Sequence, residues 1–150
     1  MAVANISAEL NTSVEKAFDH LTDHANMSAW NDMVEQSFLD QEGQDTPNGK
    51  GAIRRLWFMK GWMSEEIIAW HPPGAGSEIG YDYTVVKGGP PIAKHLGEFR
   101  LTRTGDNTCK VNWKIHLKCP LWATGEIAAY FSCRSMEKKL TASIVNNVKL

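Results

Sequence analysis

Apolar and polar positions alternate with a period of two through most of this chain, and the places where that period breaks divide it into elements. In the first stretch Ala4, Ile6, Ala8 and Leu10 fall on one face, with Asn5, Ser7 and Glu9 on the other, which predicts a half-buried strand over 3–10. The period then changes. Thr12 and Glu15 stand at capping-box spacing, and Val14, Phe18 and Leu21 recur at helical spacing, so a helix of about two turns is expected. A second short helix or turn follows over 23–29 and is closed by Trp30.

Beyond Trp30 the pattern returns to strands, over 33–40, 51–59, 62–71, 77–86, 93–103 and 109–118. A polar loop over 41–51 without apolar anchors is free to move, a turn at Lys60-Gly61 joins two strands, and Pro72-Pro73 and Gly88-Gly89-Pro90-Pro91 break the others. Ile79, Tyr81, Tyr83 and Val85 share a face, as do Gly97, Phe99 and Leu101. The last strand alternates most strictly, with Cys109, Val111, Trp113, Ile115 and Leu117 opposed to Lys110, Asn112, Lys114, His116 and Lys118. Pro120 stands where a helix can begin, and apolar positions repeating at 122, 129, 133, 136, 140 and 144, with Glu126 in phase, predict one long C-terminal helix. Strand, two short helices, a run of strands and one long helix is an α+β order: a curved antiparallel sheet of about seven strands wrapped around the C-terminal helix. One helix fills such a concave sheet incompletely, so a pocket is expected between them.

The residues that punctuate this order resemble a known family. Ile6 and Ala8 precede the capped helix, Ala17-Phe18 stands where the family often has Val-Trp, Leu21-Thr22-Asp23 ends the helix and Trp30 follows. Glu66-Ile67 runs to Trp70-His71-Pro72-Pro73, Cys109-Lys110-Val111-Asn112-Trp113 has a Cys where a Thr is frequent, and the last helix carries Met136, Leu140 and Ile144. Taken in order across the chain, these features are similar to the helix-grip fold of the START-like, Bet v 1-like and polyketide cyclase/dehydrase (SRPBCC) proteins. The resemblance implies one domain over residues 1–150 and a hollow that holds an apolar or amphipathic molecule such as a lipid, sterol, polyketide or quinone. It implies neither which molecule nor turnover.

Composition narrows the partners. With 150 residues, a net charge of −1 and a sequence pI near 6.5, the chain has no basic field for nucleic acid. Three cysteines form neither an even set nor a CxxC, so no disulfide is expected and a reducing, cytoplasmic location is. No leader and no run of apolar residues long enough to span a bilayer is visible, so integral membrane association is not expected. Oligomeric state is left open, a homodimer included.

Candidate chemistry is sparse. His20 and His24 are spaced like two metal ligands, but no third ligand is identifiable; both are read as exposed or capping at the helix end, and no metal or other cofactor is expected. Gly74 to Gly80 is read as a turn because it leads into a strand where a dinucleotide fingerprint leads into a helix. Of Glu65 and Glu66, one must face inward on a strand, and Arg54 and Arg55 pose the complementary problem; a buried Arg–Glu pair across the sheet solves both, and a site for a ligand carboxylate is the alternative. Tyr81, Tyr83 and His95, which is in phase with Phe99, could orient a ligand or move a proton. Six tryptophans suggest a bulky interior or an aromatic pocket, and Tyr81, Tyr83, His95, Phe99, Trp113, Trp122, Ala129 and Cys133 are the expected cavity residues. The leading expectation is a binder or transporter of a small hydrophobic molecule. The rivals are a cyclase or dehydratase using Tyr81, Tyr83 or His95, and an adaptor docking through Lys110, Lys114, His116 and Lys118.

Overall fold

The computed structural model describes residues 1–150. Seven strands form one antiparallel sheet in the order β1-β7-β6-β5-β4-β3-β2, namely β1 (Ala2–Leu10), β2 (Val34–Gln41), β3 (Ile53–Phe58), β4 (Gly61–His71), β5 (Gly80–Gly88), β6 (Lys94–Gly105) and β7 (Thr108–Lys118). Sequential strands pair as hairpins except β1, which joins β7 at the far edge with Ile6 opposite Trp113. The predicted faces hold: Ala4, Ile6, Ala8 and Leu10 are buried, as are all five apolar residues of β7. They form the floor of a single core that also takes in Val14, Ala17, Phe18 and Leu21 from α1 (Val14–Leu21).

Local chemistry moves several boundaries. Ser13, in extended backbone, accepts the Lys16 amide at 3.3 Å and caps α1, so the cap lies one residue beyond Thr12. Residues 24–29 form a 3-10 helix. The β3–β4 hairpin turns on Met59 and Lys60, both left-handed at φ 49 and 60, one residue before the expected pair. The polar loop after β2 is pinned by its own backbone, Gly43 to Pro47 and Gln44 to Lys50 at 2.9 Å, and by His24, as described below.

The predicted C-terminal helix is broken near its start. Leu121 to Ala123 make one 3-10 turn, Thr124 and Gly125 turn left-handed at φ 62 and 52, and only then does α2 (Gly125–Asn147) begin. Trp122 therefore leaves the apolar stripe and is 79% exposed, and Glu126 turns out to the N-terminal amine. From there α2 buries Ala129, Cys133, Leu140 and Ile144, and it packs chiefly along β1. Its side chains also serve that strand's open edge. Glu137 accepts the Asn5 amide at 2.8 Å, and Arg134, itself paired with Glu137, donates to the Val3 carbonyl at 3.2 Å. α2 packs chiefly along β1, and a space remains between the helix and the inward residues of β3 to β7, where the cavity forms.

Candidate functional site

A cavity of about 400 Å³ lies between the middle of α2 and the sheet. Leu56, Met63, Ile115 and Leu117 supply apolar wall from the strands, Ser135, Met136 and Leu140 face them from α2, and Pro90 to Ile92 close one side. Met59 and Phe131, both well exposed, and Lys139 stand at the mouth. Its polar side chains from the strands are Glu65 of β4, Tyr83 of β5 and His95 of β6, with Trp113 of β7 beside them.

Behind this wall lies a buried polar network built by strand register. Arg54 and Glu65 are direct cross-strand partners, each in phase with apolar residues that face the core. Arg54 donates from Nε to Glu65 Oε2 at 2.7 Å, and its Nη2 lies 2.7 Å from the same oxygen as an ion-pair contact off the hydrogen-bond line. Nη1 reaches Tyr81 Oη at 3.0 Å and His24 Nδ1 at 3.1 Å, and the guanidinium lies 4.5 Å from the centre of the Tyr83 ring. Burial opposes the Arg54 charge, but the surrounding tyrosine oxygens and the Glu65 carboxylate outweigh it, so the guanidinium stays protonated. Glu65 is thus the inward carboxylate of its pair, while Arg55 turns outward to Asp40.

His24 corrects an expectation. It is fully buried, and its Nε2 bonds the Asn48 carbonyl at 2.9 Å while Nδ1 faces Arg54; that pairing fixes the neutral tautomer with the proton on Nε2. Burial first, and the Arg54 charge second, lower its pKa to about 3. His20 stays at the surface end of α1, so the two imidazoles do not converge, and no cluster of three metal-ligating side chains exists.

Of the expected cavity residues, Tyr83, His95 and Trp113 line the space. Tyr83 accepts the Trp113 indole N–H at 2.9 Å, and burial raises its pKa well above the ordinary phenol value, so it keeps its proton. His95 lies 5.4 Å from Tyr83 between ring centres, burial lowers its pKa, and its Nδ1 has no partner. Tyr81 and Phe99 stack at 5.2 Å outside the lining, with Tyr81 Oη accepting from Arg54. Ala129 and Cys133 are buried on α2 but do not line the cavity, and Trp122 is at the surface. Sequence reasoning missed strand-wall residues such as Leu56, Met63, Ile115 and Leu117 as well as Met59, Phe131, Met136 and Lys139; Ile115 and Leu117 carried a signal in sharing the face of Trp113, and Met136 in its place in the helical repeat.

Gly97 positions Tyr83. A Cβ built there would overlap Cε1 and Cζ of the ring, so only glycine lets the phenol lie flat on β6. Gly97→Ala is expected to lower stability by about 1–3 kcal/mol, the usual range for overpacking, and to shift the tryptophan emission as the Tyr83 acceptor of Trp113 moves. Urea denaturation followed by fluorescence reads both; an unchanged midpoint and spectrum would show that the ring is not held there.

The outward stripe of β7 is less basic than its sequence suggests. His116 lies 3.4 Å from Glu98, and Lys110 and Lys114 sit across from Glu9 and Glu98 in the neighbouring strands.

Comparison with known proteins agrees with this architecture. The family model described as "Polyketide cyclase / dehydrase and lipid transport" matches residues 1–143. The chain belongs to that family. Among solved structures, this polyketide cyclase/dehydrase-family chain is similar to the protein XoxI from Bacillus cereus, with a TM-score of 0.75 at 17% identity over 96% of this chain and 93% of that one. It is also similar to a START superfamily protein from Mycobacterium smegmatis, with 0.73 at 14% identity over 97% and 99%. The Zhui aromatase/cyclase from Streptomyces sp. R1128 matches at 0.66 with 13% identity over 97% and 86%. At these identities the likeness is one of fold, and it establishes the α+β helix-grip architecture. No curated protein matches the chain. No helix is long and apolar enough to cross a membrane.

Proposed function

We propose that this single domain binds and carries a small hydrophobic or amphipathic molecule in the cavity between its sheet and α2, in the cytoplasm and without a metal. One observation carries the reading: a space of about 400 Å³ lined mostly by apolar side chains, with a few polar groups gathered on one part of its strand wall. That size and division of surface suit a compact ligand held by apolar burial and oriented by a few hydrogen bonds. A solid protein interior leaves no void of this volume.

Native mass spectrometry of protein purified from its source, followed by organic extraction, tests the reading. A stoichiometric apolar adduct is expected. Met136→Trp, which projects a large ring from α2 into the space, is expected to weaken uptake of that compound at least about tenfold while leaving the melting temperature within a few degrees. Undiminished uptake by this variant would place the ligand elsewhere.

A second reading, a cyclase or dehydratase, is favoured by one feature. A carboxylate, a protonated phenol and a neutral imidazole share one part of the cavity wall, which is a proton-transfer set in a largely apolar space. The extracted compound separates the two readings. A carrier returns it unchanged on incubation, whereas a cyclase that dehydrates returns it lighter by water.

A further inference from the structure

The polar groups of the cavity are unequally used, and the imbalance has a sign. Glu65 is only 3% exposed, yet both contacts from Arg54 fall on Oε2. No protein donor is bonded to Oε1, and Glu65 is among the residues that line the space. A carboxylate oxygen left there without a donor is unfavourable, so a ligand that brings one gains a charge-assisted hydrogen bond. Tyr83 shows the complementary gap: its oxygen accepts the Trp113 N–H, but its own O–H proton has no acceptor in the protein.

We propose that the cavity selects a neutral hydroxylated ligand, an alcohol or phenol on an apolar body, whose O–H donates to Glu65 Oε1 and whose oxygen can accept from Tyr83, and that it rejects carboxylates at this inner end. The proposal rests on the binding reading above and names the ligand class for the same cavity. It decides against a ligand-carboxylate site, because the guanidinium that could have held one is committed: its nitrogens face Glu65, Tyr81 and His24, and Arg54 is not part of the lining. A second carboxylate beside Glu65 would be repelled. An ammonium fits no better, since Arg54 and Glu65 already cancel and the added cation would enter a largely apolar space unbalanced. The one cation of the lining, Lys139, is exposed at the mouth and can meet an anion only there.

Three probes of one shape test this: 2-naphthol, naphthalene and 2-naphthoate, titrated against the full chain by isothermal calorimetry. Lys139→Gln is run beside the unaltered protein so that anion capture at the mouth does not mask the inner end. The expected result is 2-naphthol binding at least about tenfold tighter than either of the others in Lys139→Gln. In Arg54→Met/Glu65→Leu, where the acceptor is gone, 2-naphthol and naphthalene should agree within about threefold. If that double variant does not fold, the Lys139→Gln ratios decide alone. Naphthoate or naphthalene binding as well as 2-naphthol in Lys139→Gln would overturn the ligand class while leaving the cavity reading intact. Failure of all three to bind would overturn both.

Discussion

Arg54→Met is expected to destabilise the protein by about 3–5 kcal/mol, the range seen when one partner of a buried ion pair is removed. The guanidinium is 1% exposed and organises four side chains at once: Glu65, Tyr81, His24 and the face of Tyr83. Methionine fills much of the volume but leaves the Glu65 carboxylate buried with no cation and Tyr81 without its donor. The loss should therefore exceed what the missing contacts alone suggest. Arg54→Met/Glu65→Leu removes the orphaned charge and is expected to recover most of that stability, since apolar replacement of a buried pair is often neutral. Urea midpoints at neutral pH read the difference. If the single variant loses less than about 1 kcal/mol, the pair is not holding β3 to β4 as described.

Stability should also fall as pH drops through the range in which an ordinary histidine titrates. His24 has a folded pKa lowered to about 3, whereas in the unfolded chain it titrates near the ordinary 6.5. The unfolded state therefore binds one more proton than the folded state between those values. The contribution is complete above pH 6.5 and is lost progressively as pH falls toward 3, with a slope of about 1.4 kcal/mol per pH unit. From pH 6.5 to 4.5 that amounts to about 2–3 kcal/mol. His24→Gln keeps an oxygen to accept from Arg54 and an amide to donate to the Asn48 carbonyl, and it does not titrate. Its stability should be flat relative to the unaltered protein between pH 6.5 and 5, above most carboxylate titration. Parallel pH profiles for the two proteins would show that His24 already protonates in the folded state.

The strands were legible because burial of one face imposes period two on any strand that meets water on the other. That is why β1 and β7 match residue for residue, and why the Arg54–Glu65 pair follows from two adjacent charges on adjacent strands. His24 escaped because the helical period ends with α1. The signal was there in another period: Leu21, His24, Met27 and Trp30 are all buried at intervals of three, the repeat of the 3-10 helix that carries His24 and Met27. Trp122 was misplaced for a comparable reason. A repeat of apolar positions shows only that a helical phase would suit them, and the left-handed Thr124-Gly125 step breaks that phase before it reaches Trp122. Gly125, the one glycine in the segment, marked the break. The cavity itself was expected from architecture, but its mouth was not, since the position of α2 toward β1 is a tertiary fact that no local period encodes.

The contacts from α2 to the margin of β1 bear on a hazard common to open sheets. An unfinished strand edge templates the addition of another chain, and this fold has two such edges with an apolar hollow between them. At β1, Glu137 and Arg134 occupy backbone groups that an incoming strand would need. At β2 the register with β3 slips twice, between Val34 and Gln36 and between Leu39 and Gln41, so the outer edge is bent out of the flat geometry that strand addition requires. The chain can thus keep an apolar hollow between two free sheet margins while both of those margins resist polymerisation into larger sheets.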